Sequence, residues 1–280
     1  MDHRLRDIAE SLARDGNSGA SEMMASTLND LLAIPEDTIV SIPPSDWEDF
    51  AIALHRAKPS VAPLFNIANT ILLLSEKGKD GIDLLYGAIM DLREKERKSG
   101  LRITDLSVET IKGEHLMTTS YSSTVAQVLK ALAKDRLFKV TVAEALPGGE
   151  GRQFAKILSE HGLHVEIIHD STVFSRMAGM DTVLVGADSV TQSGLVNKIG
   201  TRAIAEAANV FDVDAYAVCG WSKISPVTLS DLITYENEVE ANLTEFVQVF
   251  ESTPLELFKY LITDQKLLAP ADLKQELQGS

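Results

Sequence analysis

Val183-Leu-Val-Gly-Ala-Asp-Ser-Val-Thr-Gln-Ser-Gly-Leu-Val-Asn-Lys-Ile-Gly-Thr201 decides how this chain is read. The apolar run Thr182 to Val185 has the character of a buried parallel strand. Small residues at Gly186-Ala187 let the backbone turn and place Asp188 where the strand ends. A second turn follows at Gln192-Ser193-Gly194, and Asn197-Lys198 and Gly200-Thr201 lead into a helix starting near Arg202. A carboxylate at a strand's C-terminal end, followed by an amide, a lysine and a glycine-opened helix start, suits binding of a small anion with acid–base work upon it. In open α/β sheets ligands sit at that edge. The plainer reading is a loop whose Asp and Asn cap backbone groups.

Similar units flank this one. Glu114-His-Leu-Met-Thr-Thr119, Phe138 to Ala143, Val165 to His169 and Asp214 to Cys219 read as strands. Ser122 to Leu132, Gly151 to His161, Thr172 to Ala178 and Ile204 to Val210 read as the helices between them. Such alternation predicts a doubly wound parallel sheet. The tail, Leu243 to Gln278, is expected to wrap the domain with short helices at Leu255–Leu261 and Ala271–Leu277.

The first hundred residues differ. Apolar residues recur at three-to-four spacing through Ile8, Leu12, Met23, Met24, Leu28, Leu31 and Leu32, interrupted by Asp15 to Ala20. Ser45 and Glu48 suggest a capping box, and Ala57-Lys-Pro-Ser60 breaks the helix that follows. Pro63 to Leu74 and Ile82 to Lys98 supply further helices, and no hairpin signal occurs. The expected fold is α/β: a helical N-terminal domain over 1–105, then a Rossmann-like domain over 106–280 with a helical C-terminal extension.

Composition narrows the function. The 280 residues carry a net charge of −15, which opposes direct nucleic-acid binding. No apolar run nears the ~20 residues of a membrane span, and Met1 to Asp7 begins polar with no hydrophobic signal core. The single cysteine fits a reducing compartment, so a cytoplasmic protein is expected. Pro147-Gly-Gly-Glu-Gly151 lacks the spacing of a dinucleotide fingerprint, which disfavours a nicotinamide enzyme.

Residues just beyond each strand converge on one sheet edge. These are Thr118, Thr119 and Ser120, then Glu144, Asp170, Asp188 and Gly220 to Lys223. Glu144 reads as a ligand group or a helix cap, Asp170-Ser171 as caps rather than ligands, and Arg152 as an anion ligand or an ion-pair partner. His161, His164 and His169 lack zinc spacing, and neither a metal nor a cofactor is implied. Cys219, at a strand end, reads as a buried inert thiol rather than a nucleophile.

At these residues the chain resembles a known family. Gly186-Ala-Asp-Ser-Val190 with Asn197-Lys-Ile-Gly-Thr201 is similar to a signature shared by the alpha, beta and delta subunits of initiation factor 2B and two aldose-phosphate isomerases. The isomerases act on methylthioribose 1-phosphate and ribose 1,5-bisphosphate. Further similarities are Ser18-Gly-Ala-Ser21, Arg56-Ala-Lys-Pro-Ser60 with Asn66, Thr118 to Ser123, and Phe250-Glu-Ser-Thr-Pro-Leu-Glu-Leu257 with Leu261-Ile-Thr-Asp264. The resemblance implies a homodimer whose pocket takes a phosphorylated sugar or nucleotide, with a translation factor or related subunit as a further partner. It implies ligand-binding roles for Arg56, Lys58, Ser120, Ser122, Glu144, Asp188, Asn197 and Lys198.

The isomerases move a proton between C1 and C2 with a cysteine and an aspartate. Asp188 stands at the aspartate position, but the cysteine position holds Ser120. Leu146 replaces an arginine expected before Pro147, and Lys58 replaces an arginine after Arg56-Ala57. A thiol titrates near 8.5, whereas a hydroxyl needs an adjacent base. The departures point to a ligand-binding, regulatory protein; an isomerase using Asp188 with a hydroxyl or water is the alternative.

Overall fold

The computed structural model describes residues 1–15, 18–59, 61–225, 234–240 and 243–279. Gly16, Asn17 and Ser60, parts of two stretches singled out in the sequence, lie outside the described residues. The chain divides into two compact units, Met1–Ser99 and Gly100–Ser280.

The first unit is helical, as its three-to-four apolar spacing dictates. It contains α1 (His3–Arg14), α2 (Ala20–Leu32), α3 (Glu36–Ser41), α4 (Pro44–Ala57), α5 (Ala62–Ser75) and the start of α6 (Lys79–Thr110). Its core gathers Leu5, Leu28, Leu31, Trp47, Phe50 and Leu64, with Trp47 and Phe50 meeting edge to face at 6.1 Å. Each such side chain stabilises by about 1.5–3 kcal/mol through burial.

Two expectations fail here. The Ser45 capping box does not form, because α4 begins two residues earlier, at Pro44, with Pro43 as its N-cap. Proline suits the first helical position, where its fixed φ is already helical and its missing N–H has no partner to lose. The helix expected to end at Lys98 instead runs to Thr110, through Ser99 and Gly100. Ile82, Leu85 and Ile89 bury in the first unit's core and Ile103 in a core of the second, so tertiary packing carries the helix past its weak glycine.

The second unit is a seven-stranded sheet. Its strands are β1 (His115–Thr119), β2 (Lys139–Ala143), β3 (His164–Ile168), β4 (Thr182–Gly186), β7 (Asp214–Val218), β11 (Tyr260–Ile262) and β12 (Leu267–Leu268), ordered β12-β11-β7-β4-β1-β2-β3. All neighbours are parallel except β11 and β12. Between the strands run α7 (Ser123–Asp135), α8 (Glu150–Glu160), α9 (Val173–Met177) and α10 (Thr201–Val210), and α11 (Pro270–Gly279) closes the chain.

Alternation along each strand builds two cores. Leu116, Val140, Leu184 and Tyr216 face one way, with Val128, Leu129 and Phe154 of α7 and α8. Met117, Val183, Val185 and Ala217 face the other, with Ile204, Ala208 and Leu273 of α10 and α11. A sheet buried on both faces needs such continuously apolar strands. The doubly wound parallel sheet after a helical region is thus the fold expected.

In the tail α11 covers the helix expected at Ala271–Leu277, but the one expected at Leu255–Leu261 does not form. Leu255–Leu257 is a single 3-10 turn, and the chain then enters the sheet as β11. Phe258 and Leu261 bury in the core, so sheet pairing overrides helical spacing there. After β4 the chain pairs as β5 (Ser189–Thr191) and β6 (Gly194–Lys198) about the turn expected at Gln192-Ser193-Gly194, and β10 (Phe250–Thr253) adds to β6 in a small antiparallel sheet. β8 (Thr234–Glu240) and β9 (Leu243–Gln248) pair as a two-stranded antiparallel ribbon.

Candidate functional site

Chain order along the parallel strands reverses between β1 and β4: β2 and β3 extend to one side, β7 and β11 to the other. At such a switch point the loops part and leave a crevice beyond the strand ends. Ser120, Glu144 and Asp188 follow β1, β2 and β4 in the chain.

Ser120 ends β1. It is buried and adopts φ 59°, an uncommon backbone for a residue with a side chain, and such conformations collect at functional sites. Ser122 next caps α7, its Oγ accepting from the N–H of Val125 at 3.3 Å. On the adjacent strand, Gly186 is required for close approach: a Cβ there would fall 2.6 Å from Ser122 Oγ. Its φ is not positive, so packing rather than turn geometry demands glycine. The half-buried Asp188 follows, its N–H donating to Val196 O at 2.9 Å, which fastens the loop to β6.

Asn197 and Lys198 end β6. Asn197 Nδ2 donates to Thr201 Oγ1 at 3.0 Å, and that hydroxyl donates to Lys198 O at 2.7 Å. Lys198 Nζ lies 2.6 Å from Glu150 Oε1 on the first turn of α8, and 4.8 Å from the centre of the Phe250 ring. Gly200, at φ 98°, opens α10, with Thr119 Oγ1 just 3.6 Å from where its Cβ would fall. Among the described residues the buried hydroxyls of Thr118 and Thr119 have no hydrogen-bond partner.

Glu144 follows β2 and is buried. His169 Nδ1 approaches Glu144 Oε1 at 2.7 Å, and Arg152 donates to Oε2 at 2.7 and 3.0 Å. The bond to His169 leads in holding its carboxyl below the usual range, aided by Arg152. Glu144 is not a helix cap, since α8 takes Gly149 as its N-cap. Asp170 receives the N–H groups of Ala145 and Leu146 at 2.9 and 2.8 Å and so pins the loop after β2. Lys223 is buried and donates to Ala187 O at 2.6 Å, just before Asp188. Cys219 is fully buried, and burial pushes its thiol up to about 12.

Arg56 and Lys58 belong to the helical unit. Arg56 is exposed in the last turn of α4; Lys58 caps that helix and donates to Asp15 O. Glu150 and Glu251 escaped the sequence reading. Glu251 lies inside a quoted motif, but only pairing of β10 with β6 brings it to α10. Among the described residues no three His, Cys, Asp or Glu gather as a metal site, and no helix is long and apolar enough to cross a membrane.

Comparison with known proteins supports the fold. Residues 24–270 match the initiation factor 2 subunit family. A Pyrococcus horikoshii protein described as a putative translation initiation factor eIF-2B subunit 2-like is 25% identical over 277 residues, 96% of this chain and 98% of that protein. Ribose 1,5-bisphosphate isomerase of Methanocaldococcus jannaschii is 31% identical over 241 residues, 78% of this chain and 75% of the isomerase. The crystal structure of a Pyrococcus horikoshii OT3 translation initiation factor eIF-2B shares the fold, with TM-score 0.82 at 21% identity over 96% of this chain and 98% of that one. The chain therefore belongs to the initiation factor 2 subunit family.

Proposed function

We propose that this chain is a homodimeric, cytoplasmic eIF-2B-like protein that binds a phosphorylated sugar or nucleotide at the β1/β4 crevice. Its role is regulatory, with a translation factor or related subunit as partner, and it performs no thiol–carboxylate isomerisation. One observation carries the reading: Ser120, not a thiol, follows β1, whose neighbour β4 leads to Asp188, and Cys219 is buried with its thiol pushed up to about 12. A serine hydroxyl needs an adjacent base to exchange protons near neutrality. Asp188 then accepts hydrogen bonds from the ligand, Asn197 and Lys198 hold hydroxyls or phosphate, and Ser120 and Ser122 line the floor. Glu144 borders the pocket in this reading.

The 31% identity to an enzyme described as ribose 1,5-bisphosphate isomerase, with Asp188 at the aspartate position that the resemblance implies, favours a second reading: an aldose–ketose isomerase using Asp188 with a hydroxyl or water. Purified protein is incubated with ribose 1,5-bisphosphate or methylthioribose 1-phosphate, and thermal shifts are recorded with a panel of sugar phosphates and nucleotides. The expected result is stabilisation without turnover; a ligand at 100 times its Kd adds about 2.7 kcal/mol. Turnover abolished by Asp188→Asn overturns the proposal in favour of the isomerase. Stabilisation by none of the compounds leaves a structural subunit with a vestigial pocket.

A further inference from the structure

Lys198, read from the sequence as a phosphate ligand, is already matched by a carboxylate within the fold. Its Nζ lies 2.6 Å from Glu150 Oε1, with the two side chains only 13% and 9% exposed. The Phe250 ring 4.8 Å away supports the ammonium further. Glu150 Oε2 is buried and, among the described residues, has no hydrogen-bond partner. The nearby charges are also committed. Arg152 is held by Glu144, and Glu251 occupies the start of α10.

The two oxygens of Glu150 thus do different things. Oε1 cancels the charge of Lys198. Oε2 is an acceptor left open, and leaving one buried and unmet is costly. A phosphoryl group, carrying about −1.5 to −2, is repelled by that carboxylate. To reach Lys198 it must break a largely buried ion pair and strand Glu150, the expensive way to disturb such a pair. A ligand hydroxyl, by contrast, donates to Oε2 and leaves the pair intact.

On the basis of the sugar-phosphate reading above, we propose that Glu150 is a specificity determinant: by neutralising Lys198 and offering Oε2, it selects a hydroxylated end of the ligand over a phosphorylated one. The site then takes a sugar monophosphate in preference to a bisphosphate.

The test measures Kd by titration calorimetry for ribose 5-phosphate and ribose 1,5-bisphosphate on the full chain, wild type and variant. Wild type is expected to favour the monophosphate. Glu150→Gln frees the ammonium and should move the ratio of the two Kd values toward the bisphosphate by about tenfold or more, the scale of a charge-assisted hydrogen bond. Glu150→Ser removes the charge with a residue suited to a helix start and supplies the same reading should the first variant not fold. Adding Lys198→Gln to Glu150→Gln should cancel the gain. A wild-type preference for the bisphosphate overturns the inference without any variant. An unchanged ratio with both ligands bound also overturns it, and the sugar-phosphate reading survives. If neither ligand binds wild type or variant, that reading falls and this inference with it.

Discussion

Glu251 Oε1 accepts the N–H of Gly200 at 2.7 Å and that of Arg202 at 2.9 Å, so a carboxylate from β10 caps the first turn of α10. The helix start that the sequence offers to an external anion is held by the chain's own acid. Backbone N–H groups and the helix dipole favour an anion there, and the β10–β6 pairing supplies one. Glu251→Ala is expected to cost about 0.5–2 kcal/mol, the usual loss of an N-cap. Urea unfolding checks this, and a cost below about 0.3 kcal/mol would show that the cap does not stabilise α10. Phosphate or sulfate should then stabilise the variant more than wild type.

Gly186 tolerates no side chain beside Ser122. Gly186→Ala places a Cβ 2.6 Å from Ser122 Oγ and should destabilise by about 1–3 kcal/mol, the range of overpacking. Because Ser122 Cβ would still lie 3.0 Å away, Ser122→Ala should restore only part of that loss in the double variant. Additive effects in the double-mutant cycle would refute a direct contact.

Cys219 should resist chemistry in the native state. With its thiol buried and pushed up to about 12, little thiolate exists at pH 8. A chromogenic disulfide reagent should titrate one thiol only after unfolding in denaturant. Rapid native labelling would contradict the burial.

Stability should fall on the acid side. Glu144 is held below 4.5 chiefly by His169, then by Arg152; Asp181 is held below 3.8 by the N–H groups of His115 and Glu114. A carboxyl depressed in the fold stabilises above its unfolded value, and that contribution disappears as pH falls through the folded value. The melting temperature should therefore decline below about pH 4.5, and Glu144→Gln should flatten part of that decline. An unchanged acid limb in Glu144→Gln would remove Glu144 from the account.

The strands and helices around the crevice were legible because each carries its own period. Val183, Leu184 and Val185 read as a strand buried on both faces, and Ile204 to Val210 as a helix, without knowledge of their neighbours. Asp188 and Ser120 followed from the rule that strand ends converge, and Ser122 from the family resemblance. What escaped were the partners. Nothing local to Glu150 says that Lys198, 48 positions on, will neutralise it, nor does Glu251 announce that it will cap a helix beginning at Thr201. The tail misled for a related reason: Leu255, Phe258 and Ile262 have helical spacing, yet hydrogen bonding to β7 outweighs it.

The sequence by itself determined the order of elements, the doubly wound sheet and the edge on which chemistry collects, because periodicity and strand ends are local properties. Only the tertiary structure decided which charges remain for a ligand. Lys198 is matched by Glu150, Arg152 by Glu144 and the start of α10 by Glu251. Those pairings depend on side chains brought within 3 Å by strand register and helix placement, and Coulomb energy falls with a distance that no linear reading contains.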